Sequence, residues 1–416
     1  MRVLELTNRV AHRLLARRRS RDRAADRVAA RIVRDVRRQG DRALFAWSRQ
    51  LDGLELDAAL WIRREELRAA RRQVSREFLR AVEHAARNIR RVAERQMPRS
   101  WSLQVAPGVR VGQRVEPLET IGCYVPGGRH SLVSTLLMTT IPARVAGVGR
   151  VIIACPRPNA ALLAAASVLG ETELARVGGA QAIAALAYGT ESFPRVDKIF
   201  GPGNRYVAAA KQFVSRECAI DLVAGPTEVL ILATSGNARF LAADLLAQAE
   251  HDADAVAICV TTSERLALAV QSEIARQLRL LPRTNPARIS LKRNGAILVA
   301  PSLNAAVNFA NRFAPEHLAV IGREQRLRRS LRAAGSFFSG PWSAQPVGDY
   351  ASGANHVLPT GGWARARGGL TTWDFVKCAS TQQITREGLR QLAPTVTALA
   401  NAENLIAHRR AVEVRL

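Results

Sequence analysis

Residues 228–262 read EVLILATSGNARFLAADLLAQAEHDADAVAICVTT. The two ends of this stretch, EVLILAT (228–234) and AVAICVTT (255–262), are short, continuous apolar runs, which is typical of strands that are buried on both faces. Between them, ARFLAADLLAQAEH (238–251) is rich in alanine and leucine and has the length of a helix. This order predicts two parallel strands joined by a helix.

The same alternation extends in both directions from about residue 118. Further strands are predicted at VGRVIIACP (148–156), VDKIFGPGN (196–204) and GAILVAP (295–301), with helices at 159–169, SERLALAVQSEIARQL (263–278) and SLNAAVNFANRF (302–313). Residues 1–100 have helical periodicity, and the segment from about Thr371 is expected to be helical without strand runs. We therefore predict an α/β fold with two Rossmann-like, mostly parallel domains and small helical N- and C-terminal segments.

Composition is that of a globular protein with large cores. The chain has 416 residues, of which 48% are hydrophobic and 23% charged, and no apolar run is long enough to predict a membrane span. The N-terminus lacks the apolar region and cleavage site of a signal peptide. Five scattered cysteines without a CxxC pair favour reduced thiols in the cytoplasm over a disulfide framework.

The net charge of +26 is unusual, and only four of the 61 basic residues are lysine. The arginine excess is densest in the first 115 residues, in runs such as ARRRSRDR (16–23). Aromatic residues make up only 5%, and no nucleic-acid docking motif occurs. We expect a solvated basic surface that binds polyanions nonspecifically, if at all, and attracts anionic cofactors.

Three glycine-rich turns lie beside expected strand ends or helix starts, at Val125–Arg129 (VPGGR), Val177–Gln181 (VGGAQ) and Gly201–Asn204 (GPGN). Backbone N–H groups can approach a phosphate closely at such positions. No GxGxxG fingerprint is present. Each turn alone is explained as well by the tight turns of an α/β protein, whereas three within 80 residues favour a nucleotide or anion site.

The segment LLAQAEH ends the helix predicted at 238–251. Gln248 and His251 are three residues apart and share one helix face, so both could reach one metal ion. The alternative is the ordinary polar end of a helix.

FAPEHLAV places Glu316 beside His317, between a predicted helix and a predicted strand. A carboxylate and an imidazole suit acid–base chemistry near neutral pH. Because open α/β sheets bind ligands at the carboxyl ends of their strands, we expect the pair in that position. A surface turn is the alternative.

Two further segments are rich in ligand-type side chains. VGDYASGANHVLPTGG holds Asp349, Asn355 and His356 among turn glycines, and NAENLIAHRRAV holds Glu403 and His408 near the C-terminus. The first is a candidate ligand loop or an ordinary polar loop. The second is most simply a solvated helix, because a spacing of five turns the two side chains away from each other.

Taken in order, these motifs resemble the histidinol dehydrogenase family. The resemblance runs from about residue 115 to residue 413 and rests on GCYVPGGR, STLLMTTIPARVAGV, VGGAQAIAALAYGTES, VDKIFGPGNRYVAAAK, DLVAGPTEVLILA, LLAQAEH, FAPEHL, GDYASGANHVLPT and AENLIAHRRAV. It implies NAD-dependent oxidation of L-histidinol through L-histidinal to L-histidine, the last step of histidine biosynthesis. It also implies one zinc ion per subunit and a cytoplasmic homodimer whose active sites are shared between subunits.

The resemblance also implies roles for single residues. Zinc ligands are implied at Gln248, His251, Asp349 and His408, and the catalytic pair at Glu316 and His317. Substrate contacts are implied at those six positions and at Thr227, His356 and Glu403, with Glu403 and His408 reaching across from the partner subunit. NAD contacts are implied at Tyr124, Gln181 and Asn204.

The predicted division of the chain has four parts. These are an N-terminal helical segment (1–17), a discontinuous first α/β domain with the metal and catalytic loops (18–122 and 227–370), a second α/β domain on the NAD side (123–226) and a C-terminal helical dimerisation segment (371–416).

Two residues depart from the family pattern. Thr227 stands where the family usually has serine, and Gln345 where it usually has glutamate. Together with the net charge, they keep open a family paralogue that oxidises another alcohol, such as a sulfonated propanediol. The arginine excess keeps open a nonenzymatic polyanion-binding protein.

Overall fold

The computed structural model describes residues 1–17, 22–55, 60–127, 131–223 and 225–416. Three sets of residues from the sequence analysis lie outside the described residues: half of the arginine-rich run at 16–23, the last two residues of the VPGGR turn and the first residues of the predicted first domain.

The strands of the described chain form three sheets. In chain order they are β1 (Arg2–Glu5), β2 (Trp101–Ala106), β3 (Val109–Pro117), β4 (Thr120–Tyr124), β5 (Arg150–Ala154), β6 (Leu174–Ala175), β7 (Lys198–Phe200), β8 (Ala219–Ile220), β9 (Glu228–Ala233), β10 (Val256–Thr261), β11 (Ala296–Val299), β12 (His317–Ile321), β13 (Ser336–Ser339) and β14 (Val376–Ile384).

Helices fill most of the chain between these strands. They are α1 (Asn8–Arg17), α2 (Arg23–Gln39), α3 (Asp41–Asp52), α4 (Arg64–Ala70), α5 (Arg76–Gln96), α6 (Val133–Ala146), α7 (Ala160–Leu169), α8 (Gly179–Tyr188), α9 (Arg205–Val214), α10 (Ala238–Ala249), α11 (Glu264–Leu278), α12 (Ala287–Arg293), α13 (Leu303–Phe313), α14 (Glu324–Arg328), α15 (Gln345–Tyr350), α16 (Arg386–Ala402) and α17 (Ile406–Glu413). None of them is both long and apolar enough to cross a membrane.

The six-stranded sheet is parallel throughout, in the order β1-β11-β10-β9-β12-β13. Neighbouring residues of a strand point to opposite faces. Leu230 of β9 accordingly packs in the core with α1 and α13, and Ile231 packs in the core with α10 and α11. Both faces are covered, which is why the apolar runs are continuous.

The five-stranded sheet is also parallel, in the order β6-β5-β4-β7-β8. Ile152 of β5 packs in the core shared with α2, α8 and α9, whereas Ile153 packs in the core shared with α5, α6 and α7. Two parallel, helix-covered sheets confirm the predicted fold class.

The remaining three strands form an antiparallel sheet in the order β14-β3-β2. The expectation that the chain after Thr371 has no strand is wrong, because β14 pairs with β3 along its whole length. Its residues, VKCASTQQI, are mostly exposed. The strand is held by backbone hydrogen bonds and has no buried face. Its sequence therefore contains no apolar run from which a strand could be predicted.

The packing of the N-terminal helices differs from the predicted domain division. α2 contacts α8 and α9, α4 contacts α7, and α5 contacts α6 and α7. All four of these partner helices cover the five-stranded sheet. The predicted first domain groups these helices and β4 with residues 227–370, whereas β4 pairs within the five-stranded sheet. A strand, β1, also precedes the predicted N-terminal helix and forms the edge of the six-stranded sheet.

One aromatic stack joins the C-terminal part of the chain to the five-stranded sheet. The fully buried rings of Phe200 and Phe375 lie 4.1 Å apart between centroids with an interplanar angle of 15°. We expect Phe200→Ala to lower the free energy of unfolding by about 3–5 kcal/mol, since it leaves a cavity in a close-packed core. Urea unfolding measures the loss.

The matched control is Phe213→Ala on α9, where the ring is 37% exposed. A much smaller loss is expected there. Equal losses for the two variants would contradict the role given to the stack.

Candidate functional site

The candidate site lies where the two parallel sheets meet. Only residues 221–227 separate the end of β8 at Ile220 from the start of β9 at Glu228. The carboxyl edge of the five-stranded sheet is therefore beside the amino edge of the six-stranded sheet. Thr227, Glu316 and His317 lie at that amino edge, since they precede or begin β9 and β12.

This position corrects one expectation. Glu316 and His317 were predicted at the carboxyl end of a strand, but they lie at its amino end. The reason is local: α13 ends at Phe313, Ala314 takes a left-handed conformation (φ 47°), and β12 begins two residues after Pro315.

The Glu316 carboxylate is buried and held by two donors. Its Oε2 accepts hydrogen bonds from the Thr227 hydroxyl at 2.5 Å and from the backbone N–H of Glu228 at 2.7 Å. Burial nevertheless raises the pKa of Glu316 to about 8, because the loss of hydration outweighs these hydrogen bonds. At neutral pH the side chain is mostly protonated.

His317 is buried and uncharged. Its Nδ1 lies 3.1 Å from the carbonyl oxygen of Glu228, which fits a tautomer in which Nδ1–H donates to that oxygen and leaves a lone pair on Nε2. Burial lowers the pKa of His317 to about 4. Within the described part of the chain, Nε2 has no hydrogen-bond partner. It is a free proton acceptor.

Three of the four predicted metal ligands come together beside this pair. His251 Nε2 lies 4.0 Å from Asp349 Oδ2, and His317 Nε2 lies 3.8 Å from Asp349 Oδ1. Gln248 is fully buried and donates through Nε2 to the Thr227 hydroxyl. Its Oε1 finds no hydrogen-bond donor among the described residues.

These atoms suit a cation. The unpartnered Gln248 oxygen, the Asp349 carboxylate and the half-exposed His251 imidazole are all electron-pair donors, and a buried acceptor without a donor is costly unless something binds it. No group of three or more His, Cys, Asp or Glu side chains suited to a metal occurs in the described ranges. A metal here would therefore depend on the glutamine and on a ligand from outside this cluster.

The predicted fourth ligand lies elsewhere in the single chain. His408 is on α17 and Glu403 follows α16, and both are exposed. α16 and α17 pack against each other. No contact of either side chain with Gln248, His251 or Asp349 is found among the described residues. One chain alone does not complete the predicted ligand set.

Gln345 has a role that the sequence interpretation missed. The sequence indicated only that Gln345 replaces a carboxylate near Asp349. Its side chain is buried, and Nε2 donates to Asp349 Oδ2 at 2.6 Å, which a carboxylate could do only if protonated. His356 also adjoins Asp349, with Nδ1 3.0 Å from the Asp349 carbonyl oxygen.

Asp244 is a second residue that was missed. Asp244 lies on α10, four residues before Gln248 and seven before His251, which follows the end of the helix. The spacing alone therefore placed it on the helix face that Gln248 and His251 were predicted to share. Burial raises the pKa of Asp244 to about 6, although the backbone N–H of Gln345 donates to its carboxylate. Asp244 thereby joins the helix of Gln248 to the helix of Asp349.

The predicted cofactor contacts lie at the carboxyl edge of the five-stranded sheet. Tyr124 ends β4, and Asn204 follows the neighbouring strand β7. The next strand in the chain, β5, lies on one side of β4, whereas β7 lies on its other side. The strand order therefore reverses at β4. The crevice at such a reversal of strand order is where open α/β sheets bind nucleotides.

Each of these side chains is also held by the fold. The backbone N–H of Gly179 donates to the Tyr124 hydroxyl at 3.2 Å, and Asn204 Oδ1 caps the first turn of α9. Gln181 Nε2 donates to Asp52 at 2.9 Å, and Gln181 Oε1 has no partner among the described residues. Asp52 was not predicted, because it is 129 residues away in the sequence.

Comparison with known proteins gives one consistent family. A family sequence model described as histidinol dehydrogenase matches residues 15–416. A protein named histidinol dehydrogenase from Geobacillus kaustophilus (strain HTA426) is 48% identical over 392 residues, which are 92% of this chain and 92% of that protein. One from Methanosarcina mazei is 46% identical over 390 residues, covering 92% of this chain and 89% of its own.

A solved structure agrees with the sequence relatives. The crystal structure of histidinol dehydrogenase from Elizabethkingia anophelis superposes with a TM-score of 0.92 at 35% sequence identity. The match covers 99% of this chain and 96% of that chain.

The buried carboxyl of Glu316 gives a pH-dependent prediction. Its pKa is raised from 4.5 to about 8 by folding, so between these pH values the folded chain keeps a proton that the unfolded chain releases. The free energy of unfolding then falls as pH rises through this window. Glu316→Gln removes the effect, and its stability relative to the parent protein should increase from pH 5 to pH 8 by a few kcal/mol.

Urea unfolding of both proteins across this pH range, with a chelator present, measures the difference. Glu83→Gln on the exposed face of α5 is the control and should run parallel to the parent protein. A Glu316→Gln curve that is also parallel would contradict the assignment of a protonated Glu316.

Proposed function

This chain belongs to the histidinol dehydrogenase family, and from that premise we propose that it oxidises L-histidinol to L-histidine in two NAD-dependent steps, with L-histidinal between them and one zinc ion per site. The observation that carries the proposal is the buried Glu316–His317 pair. It presents one unprotonated imidazole nitrogen, which has no hydrogen-bond partner among the described residues, beside one protonated carboxyl.

The residues present fit a zinc ion. Gln248, His251 and Asp349 would hold it together with the partner subunit's His408, and the free Gln248 oxygen supports this assignment. When bound, the ion supplies a positive charge that orients the amino and imidazole nitrogens of the substrate. A neutral glutamine ligand lowers the negative charge around the ion and favours such neutral donors.

His317 carries the first oxidation. Its Nε2 accepts the hydroxyl proton of the alcohol while the Nδ1–H remains bonded to the Glu228 carbonyl oxygen, so the imidazole keeps its orientation throughout. Tyr124, Gln181 and Asn204 would hold NAD, which when bound would supply the hydride acceptor of each oxidation. The site is water-poor around Glu316 and His317, since both side chains are buried.

Glu316 carries the hydration of the aldehyde. Because the pKa of Glu316 is raised to about 8, this step uses the ionised fraction, which increases as pH rises toward 8. The ionised carboxylate takes a proton from the water that adds to the carbonyl carbon of histidinal, and the hydroxyl group so formed becomes part of the hydrate. His317, which has released its first proton to solvent, then accepts the hydrate's hydroxyl proton as the second hydride leaves. The Thr227 hydroxyl keeps Glu316 in place, because it donates to Oε2 and accepts from Gln248.

Substrate contacts are proposed at Thr227 and His356 and, from the other chain, at the partner subunit's Glu403. The exposed positions of α16 and α17 in the single chain support a homodimer in which these helices complete the neighbour's site. We place the enzyme in the cytoplasm, a proposal supported by five unpaired cysteines.

A family paralogue that acts on another alcohol is the second candidate. The methyl group of Thr227 adds bulk at a hydroxyl that already makes two hydrogen bonds within the site. Gln345 replaces a carboxylate next to Asp349. Both changes touch the substrate pocket and favour testing more than one alcohol.

The stoichiometry of NADH formation tests the proposed function. The purified protein should form two NADH for each L-histidinol, lose this activity with a chelator and regain it when zinc is added back, because one bound ion orients the substrate. Absorbance at the NADH band measures all three. Zinc-loaded protein that ignores histidinol and oxidises a sulfonated propanediol would establish the paralogue instead.

The shared site gives a mixing test. His317→Asn, whose amide can still donate to the Glu228 oxygen, should lower kcat by about 10²–10⁴-fold, and His408→Ala should weaken metal binding. When the two inactive proteins exchange subunits, half of the dimers are mixed and carry one intact site, so roughly a quarter of the parent activity should return.

The control is a mixture of His317→Asn with His84→Ala, a residue on the exposed face of α5. The activity of that mixture should equal the activity that its His84→Ala chains have on their own. Full subunit exchange between the two inactive chains without recovery would show that His408 serves its own chain.

A further inference from the structure

A fully buried ion pair lies behind the GPGN turn. The side chains of Lys211 on α9 and Asp221 after β8 are 2% and 0% exposed, and they bond to each other through Nζ and Oδ1. Neither has a part in the proposed proton transfers. Burying two charges is costly, and an apolar pair of similar volume often stabilises a core as well or better.

The pair binds both backbone polar groups of Gly201, the first residue of the turn. The N–H of Gly201 donates to Asp221 Oδ2 at 2.7 Å, and Lys211 Nζ donates to the Gly201 carbonyl oxygen at 2.9 Å. Gly201 has a φ of +105°, and a Cβ there would lie 2.1 Å from the Tyr124 carbonyl oxygen. The pair thus fixes a strained turn that begins in close contact with Tyr124 and ends at Asn204.

The same carboxylate begins the connection to the catalytic edge. Asp221 Oδ1 also accepts from the backbone N–H of Leu222 at 2.5 Å, and Arg367 donates to the Asp221 carbonyl oxygen. Six residues later the chain reaches Thr227, whose hydroxyl binds Glu316. One buried group therefore binds the cofactor turn and begins the short connection that leads to Thr227.

We propose that Lys211 and Asp221 are positioning residues that hold the Gly201–Asn204 turn in the conformation that binds NAD. This inference rests on the proposed function. A positively charged nitrogen and a carboxylate can bind the carbonyl oxygen and the N–H of one residue at once, which apolar side chains cannot do.

The experiment separates positioning from stability. Lys211→Met alone leaves a buried, unpaired carboxylate and should lower the urea midpoint. The double variant Lys211→Met with Asp221→Leu should recover most of that midpoint, yet bind NAD roughly ten- to a hundredfold more weakly. Calorimetry with NAD on the metal-loaded protein measures binding, and KM for NAD should rise more than kcat falls.

The matched control is the Arg144–Glu171 pair, a second ion pair of the same domain with a buried carboxylate. It ties the end of α6 to the chain before β6, at the opposite edge of the sheet. Arg144→Met with Glu171→Leu should leave NAD binding unchanged. Equal weakening in both double variants would reduce the effect to general loss of stability and overturn the proposal.

A second variant covers poor folding of the double variant. Asp221→Asn keeps the shape of the side chain but removes the charge that binds Lys211, and it should also bind NAD more weakly. A folded Asp221→Asn or double variant that binds NAD as the parent does would overturn the positioning role alone. Parent protein that binds no NAD would overturn the proposed function as well.

Discussion

The hydrogen bonds between Glu316 and the start of β9 are the constraint on which the rest of the site depends. Oε2 of Glu316 binds the hydroxyl of Thr227 and the N–H of Glu228, while the imidazole of His317 meets the carbonyl oxygen of Glu228. These contacts exist because β12 pairs directly with β9, with His317 opposite Val229. A shift of one residue would turn both side chains to the wrong faces.

Much of the fold follows from local sequence patterns, because buried parallel strands are continuous apolar runs. EVLILAT, AVAICVTT and GAILVAP were recognised for this reason and form β9, β10 and β11. β14 was not recognised, since its side chains are mostly exposed. The packing of α2 on the five-stranded sheet was also missed, because an amphipathic helix carries no signal for which of two apolar sheets it will cover.

The candidate site could be predicted as residue types but not as an arrangement. Spacing on one helix related Gln248 to His251, and adjacency related Glu316 to His317. No local pattern relates Gln345 to Asp349, or Lys211 and Asp221 to Gly201, because those contacts depend on side-chain direction and on which turns meet. His408 and Glu403 belong to a C-terminal segment that lies away from the cluster within one chain, so their predicted roles rest on a second subunit.

The pairing of β1 with β11 has a consequence for synthesis of the chain. Residues 2–5 leave the ribosome almost 300 residues before their partners at 296–299. All strands of the five-stranded sheet lie between these two segments, so that sheet can assemble cotranslationally while the N-terminal strand is still unpaired. A segment that is made early is therefore among the last to find its place. The six-stranded sheet closes late, because this pairing spans more sequence than any other strand pairing among the described residues.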